Sequence, residues 1–168
     1  MNLRRYLRPE SIKLELATIP APPDSEEASS PAYLRRIREE VIAELVTLFA
    51  ANDQIVNESK LFTDLNNREK RASTAYGDGI AIPHVRTLQA RSFLMCFARS
   101  TPGIPFGAPD ETLTHMFFGM VAPPYEDRLY LRVYRTLGPL LLDADLRAEF
   151  MAAGDPHQVL RLLERGCR

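Results

Sequence analysis

The chain has 168 residues, enough for one core of ordinary size, and 45% hydrophobic with 26% charged residues places it among globular proteins. With 21 basic and 22 acidic residues the net charge is −1, so the basic surplus that a nucleic-acid surface needs is missing. Cys96 and Cys167 lie far apart with no CxxC and no histidine at ligand spacing, which argues against a disulfide framework and against a zinc site. No apolar stretch approaches the roughly 20 residues of a membrane span, and no apolar signal core follows Arg4 and Arg5. The expectation is a single cytoplasmic domain over residues 1–168, not inserted in a membrane and not bound to nucleic acid.

Ser11 to Ile19 alternates, with Ile12, Leu14 and Leu16 opposite Lys13 and Glu15, the period of a half-buried strand. Pro20 to Pro31 then reads as a loop within the domain, too poor in apolar residues to bury anything. Leu34, Ile37, Val41, Leu45 and Leu48 recur at spacings of three and four, which predicts a helix. A second helix is expected from Ser59 as N-cap, through Leu61, Phe62 and Leu65, to Arg68. The turn-rich Ser73 to Gly79 leads to a short strand, Ile80-Ala81-Ile82, stopped by Pro83. Longer strands are expected at Ser92 to Ala98 and Leu113 to Val121, the first with Cys96 as a buried small hydrophobe. Helices follow at Glu126 to Leu142, Leu146 to Ala153 and Pro156 to Arg165. This order reads as a sheet covered by helices, α/β or α+β, with strand order open.

Chemistry points first to the histidines. His115 sits inside a strand pattern, where a structural role is the better reading, and His157 follows Pro156 at the start of the last helix. His84 follows a Gly-Asp-Gly turn, a short apolar strand and a proline, so it is expected at the tip of a strand where the chain turns away. Strand ends are where α/β proteins place reacting groups. No Walker loop, Ser-His-Asp set or paired-carboxylate arrangement accompanies it.

The run Arg68-Glu69-Lys70-Arg71-Ala72-Ser73-Thr74-Ala75-Tyr76-Gly77-Asp78-Gly79-Ile80-Ala81-Ile82-Pro83-His84 resembles the phosphorylation-site segment of the fructose/mannitol-type enzyme IIA family of the bacterial phosphotransferase system. Its wording looks closer to the nitrogen-regulatory IIA proteins. The resemblance continues from Leu34 to the C-terminus and implies an α/β fold, a mixed β-sheet with helices on both faces. It implies that His84 accepts a phosphoryl group from an HPr-like phosphocarrier protein, for onward transfer to a IIB component or for regulation, without a cofactor or metal. It also implies that Arg68 meets the transferring charge, that Glu69 positions Arg68, and that Thr74 and the glycine turn shape the pocket. Arg86 is expected to add positive potential.

Four positions depart from the family. Val85 stands where glycine usually follows the histidine, and Ala75-Tyr76 replace a glycine and an aliphatic residue. A second histidine, expected at the start of the late helix, is Tyr130 in an ungapped alignment from Pro123. Val85 and Tyr130 support an alternative, a divergent IIA-like regulatory binding module without efficient phosphotransfer, which the retained Arg68 and His84 oppose.

Overall fold

A computed structural model describes residues 1–167. Six strands form one mixed sheet: β1 (Ile12–Lys13), β2 (Ala75–Gly77), β3 (Ile80–Ala81), β4 (His84–Arg86), β5 (Leu94–Ile104) and β6 (Thr114–Ala122). The path runs β1-β5-β6-β3-β2, and β4 also pairs with β6. β5 and β6 are antiparallel, whereas β3 and β4 both run parallel to β6. The helices are α1 (Pro31–Ala50), α2 (Glu58–Arg71), α3 (Asp127–Leu141), α4 (Ala144–Ala152) and α5 (Pro156–Gly166).

The sheet is covered on both faces, as the α/β expectation requires. Along β6, Met116, Phe118 and Met120 face a core shared with Val133 and Leu137 of α3, Phe150 of α4 and Leu163 of α5. Phe117 and Val121 face the other way, onto Val41, Leu45 and Phe49 of α1 and Leu61 and Leu65 of α2. This is the period-two alternation of a strand buried on both sides. At Gly119 an added Cβ would lie 2.5 Å from Cys96 Sγ and 2.8 Å from the Phe49 ring, so only glycine lets α1 lie this close. Cys96 is fully buried, as expected of it.

Four expectations at the element level need correction. The strand over Ser11 to Ile19 shrinks to Ile12–Lys13, because the backbone beyond it bonds elsewhere. The Glu44 carboxylate on α1 accepts from Lys13 Nζ, Ala17 N, Thr18 N and the Thr18 hydroxyl, replacing a ladder with one side chain. The helix placed at Leu34 starts at Pro31, with Ser30 Oγ accepting from Tyr33 N at 3.0 Å. Asn57, not Ser59, caps α2, accepting from Lys60 N at 2.9 Å. The proline-rich loop contains a short 3-10 turn at Glu26–Ser29, and contrary to expectation it reaches the core: Ala21 and Ala28 pack against it, and Ala21 N donates to the Tyr33 hydroxyl.

Candidate phosphoryl-transfer site around His84

Three consecutive residues, Gly77, Asp78 and Gly79, have positive φ, which turns β2 into β3 in the tightest available way. Asp110 Oδ2 accepts from Asp78 N at 2.9 Å, and a Cβ on Gly77 would meet that carboxylate at 2.8 Å. The turn is thus built from glycine and clamped from outside.

Beyond it, β3 and β4 are one line of chain. Ile80, Ala81, His84 and Val85 pair with Met116, Phe117, Met120 and Val121, a constant offset across the break at Ile82-Pro83. Pro83 has no N–H, yet its carbonyl accepts from Met120 N at 2.9 Å, so the ladder bridges the interruption. His84 therefore does not stand where the chain turns away. It begins a second pairing segment, β4, which runs beside the central strand β6, half-buried, because the Pro83 carbonyl keeps the chain in register.

Strand alternation places His84 and Arg86 on the α3 side, and Val85 on the opposite side, against the α1–α2 core. Val85 thus occupies core space and leaves the imidazole's surroundings free. His84 Nδ1 lies 2.5 Å from the Ile82 carbonyl. A carbonyl only accepts, so Nδ1 carries the proton and Nε2 is left with its lone pair. Arg68 Nη2 lies 3.4 Å from Nε2, and Arg68 Nη1 donates to the Ala72 carbonyl at 2.9 Å, fixing the guanidinium at the end of α2. A bond from the Thr87 hydroxyl to Asp64 ties the end of β4 to α2, which sets the distance between the two groups.

Burial pushes the His84 pKa below its ordinary 6.5; the bond to Ile82 opposes this, and the charges of Arg68 and Arg86 add to it. The result is a neutral imidazole near pH 7 with an exposed lone pair beside a fixed cation. That suits attack on an electrophilic phosphorus. Among the described residues no cluster of three or more His, Cys, Asp or Glu side chains is placed to hold a metal ion.

Glu69 is buried and bonds to Thr74, accepting from its N–H at 2.7 Å and its hydroxyl at 2.6 Å. Among the described residues it makes no ion pair with Arg68, whose charge it nonetheless feels, so its hold on Arg68 runs through the backbone at the end of α2. Its carboxylate fastens the end of α2 to the start of β2, and Thr74 in turn accepts at its carbonyl from Ile82 N. Burial raises the Glu69 pKa, and the Thr74 bonds offset part of that. Arg86 pairs with Asp127 and lies 5.8 Å from the Tyr130 ring, so part of its charge is already answered.

Tyr130 comes to the site as the ungapped alignment implied, its ring centroid 5.8 Å from that of His84. It is 7% exposed, and burial drives its pKa to about 12, so the phenol stays protonated. The sequence reading missed Tyr134, whose ring lies 5.3 Å from His84, edge to face. The signal was available: Tyr134 is one helical turn after Tyr130 and shares its face. His115 stands away from this site, within β6, its Nδ1 3.0 Å from the Ser100 carbonyl, and His157 is exposed on the first turn of α5.

Comparison with known proteins places the fold and the family. A fructose-specific EIIABC component of Bacillus subtilis is 26% identical over 128 residues, 76% of this chain, which spans 20% of that longer protein. A nitrogen regulatory protein of Bradyrhizobium diazoefficiens is 29% identical over 137 residues, covering 82% of this chain and 89% of its own length. The nitrogen regulatory protein IIA-Ntr of Neisseria meningitidis has the same fold, with a TM-score of 0.81 at 21% identity over 97% of this chain and 99% of that one. The mannitol IIA of Escherichia coli, solved in complex with phosphorylated IIB, superposes with a TM-score of 0.68 at 19% identity, over 94% of this chain and 97% of that one. No helix among the described residues is long and apolar enough to cross a membrane. The family described as "Phosphoenolpyruvate-dependent sugar phosphotransferase system, EIIA 2" matches residues 35–166, most of the chain, and the chain belongs to it.

Proposed function

We propose that the chain accepts a phosphoryl group on His84 Nε2 from an HPr-like carrier protein and passes it to a IIB-type acceptor or keeps it as a regulatory mark. The observation that carries this reading is the fixed tautomer: Nδ1–H is held by the Ile82 carbonyl, and Nε2 faces Arg68. The Nε2 lone pair forms the new bond to phosphorus while the donor's bond to the same phosphorus breaks and the donor leaves with its electron pair. The Nδ1 proton stays in place, so the ring becomes an imidazolium, which the Ile82 carbonyl stabilises by accepting the now stronger hydrogen bond. When the Nε2–P bond breaks, its electron pair returns to Nε2 and the ring leaves as neutral imidazole, a good leaving group, so the phosphoryl group remains easy to transfer onward.

Arg68 answers the negative charge on the equatorial oxygens, as a fixed donor does best in a partly desolvated site. Glu69 and Thr74 hold the frame in which Arg68 and His84 meet. The occurrence of a IIA–IIB complex among the structural neighbours supports a IIB-like acceptor. Sugar-specific and nitrogen-regulatory relatives match at similar identity, 26% and 29%, and both types would use this one pocket. Tyr130 favours a second reading, a regulatory module with slow transfer, since a neutral phenol offers less to a dianion than a cationic imidazole.

The test is incubation of purified protein with phosphoenolpyruvate, enzyme I and an HPr-type carrier. Acid-labile label on His84 is expected. No label, with a folded protein that still binds the carrier, supports the binding module in its place.

A further inference from the structure

Residues 20–31 take no part in the chemistry at His84, yet they are held in place. Ala21 N donates to the Tyr33 hydroxyl at 2.6 Å, Ser25 N and its hydroxyl both donate to the Pro22 carbonyl, and Ala28 N donates to the Ser25 carbonyl at 3.1 Å. So fastened, the segment roofs a pocket of about 440 Å³, whose other walls are the start of α1, the end of β5 and the residue leading into β6. Benzene is held in an apolar cavity of about 150 Å³, so there is room here for one or two rings. Five of the ten lining residues are prolines (Pro20, Pro22, Pro23, Pro102 and Pro105), none is charged, and Tyr33 alone has a polar side chain.

Those residues decide what the pocket can hold. Pyrrolidine rings fix φ and have no long rotamers to fold inward, so the walls keep their shape when empty and little ordering is needed on binding. Proline also lacks an N–H, and the N–H groups of Ala21, Ala28, Tyr33 and Gly103 are bonded within the protein. One side-chain donor is left over. The Tyr33 hydroxyl accepts from Ala21 N, and among the described residues nothing accepts its own proton, although Tyr33 is only 5% exposed. Tyr33 and Ala21 both line the pocket, so the hydroxyl stands at its wall.

We propose that this pocket binds a small neutral molecule of one or two rings carrying one carbonyl-type acceptor, which the Tyr33 O–H engages. An ion is disfavoured, since no lining side chain would offset the loss of its hydration. A pure hydrocarbon would leave the Tyr33 proton buried without an acceptor. Ring faces suit the proline walls, whose C–H edges meet the negative face of a π-system. The site is separate from His84. Leu113 on the pocket wall lies seven residues before Met120, the partner of His84 on β6, roughly 20 Å along the strand. Ligand and phosphoryl group therefore do not compete for space.

The experiment titrates the full chain with acetophenone, ethylbenzene and benzoate and follows the backbone amides by NMR. These one-ring probes carry a carbonyl, no acceptor and a charge, respectively. Saturable shifts centred on Ala21, Ala28, Tyr33, Gly103 and Leu113 are expected for the two neutral probes and not for benzoate. Tyr33→Phe is expected to weaken acetophenone about three- to tenfold, the contribution of one hydrogen bond, and to leave ethylbenzene within about twofold. The variant also frees Ala21 N, so a merely loosened roof would weaken both probes alike; an equal fall for both overturns the role given to the O–H. Ala28→Phe puts a ring of the chain's own into the pocket and is expected to abolish binding of both. The proposal is overturned if acetophenone gives no saturable shift up to its solubility limit, if the shifts centre elsewhere, or if benzoate binds as tightly. Phosphorylation of His84 plays no part in this readout, so failure of the carrier reading would leave the result standing.

Discussion

The Arg68 guanidinium and the His84 imidazole meet with Nη2 and Nε2 3.4 Å apart, although the two residues lie 16 positions apart in the chain. The contact is made by a donor and a lone pair, not by opposite charges. It therefore draws no stability from Coulomb attraction and is available to a third, anionic group.

Removing the nucleophile should remove the label. In His84→Ala, incubation with phosphoenolpyruvate, enzyme I and an HPr-type carrier is expected to give no acid-labile phosphate. Full labelling of the variant would place the accepting residue elsewhere, with His115 and His157 as the only other histidines in the sequence.

Arg68→Ala separates chemistry from scaffold. Loss of one charge-stabilising donor in a transfer step typically costs about 2.7 to 4 kcal/mol, roughly a hundred- to a thousandfold in rate. Stability loses the bond to the Ala72 carbonyl, about 0.5 to 1.5 kcal/mol. Normal labelling kinetics in a quenched-flow measurement would show that Arg68 belongs to the frame.

Glu69→Ala should do the reverse. It orphans the buried Thr74 N–H and hydroxyl, at a cost of about 1 to 3 kcal/mol for each unsatisfied group. Thermal or urea unfolding is expected to show a large loss, with phosphoryl acceptance impaired only as far as the frame loosens. An unchanged midpoint would mean that the carboxylate does not join α2 to β2 in solution.

The lowered pKa of His84 has a sign that can be measured. With the folded value below the ordinary 6.5, the unfolded chain binds more protons between the two values, so this residue's contribution is fully present above pH 6.5 and fades as pH falls through the folded value. Phosphoryl acceptance is accordingly expected to hold nearly constant as pH drops through 6.5 and to fail only lower. An NMR titration of the His84 ring with its midpoint at or above 6.5 would contradict the geometry.

Tyr130 tests what the absent second histidine costs. Tyr130→His is expected to speed phosphoryl exchange with the donor, since an imidazole can become cationic beside the dianion. Tyr130→Phe should slow it by deleting a remaining hydrogen-bond donor. Identical exchange rates in all three proteins would place the Tyr130 hydroxyl out of reach of the group.

The long helices and strands were legible because their apolar residues repeat at one period and little competes with them. The motif from Arg68 to His84 also contains the two residues, Arg68 and His84, that the structure brings into contact. What escaped was decided by single side chains acting at a distance. Nothing local in Ser11 to Ile19 announces that Glu44 will take its backbone donors, and nothing around Glu69 announces that Thr74 rather than Arg68 is its partner. The placing of Val85 escaped for a simpler reason: a residue next to His84 in sequence points to the opposite face once the segment is a strand. Tyr134 was readable from helical spacing alone.

The unbroken register of β3 and β4 along β6 also limits how this protein can carry a message. A histidine on a mobile loop could swing when modified and let a partner recognise a changed shape. Here the backbone on both sides of Pro83 is pinned to the central strand, so displacing His84 means breaking its ladder with β6. The modified and unmodified molecules must then share almost the same outline. Whatever distinguishes them has to do so by sensing a patch that has changed sign, as one reads ink on a page that has not been folded.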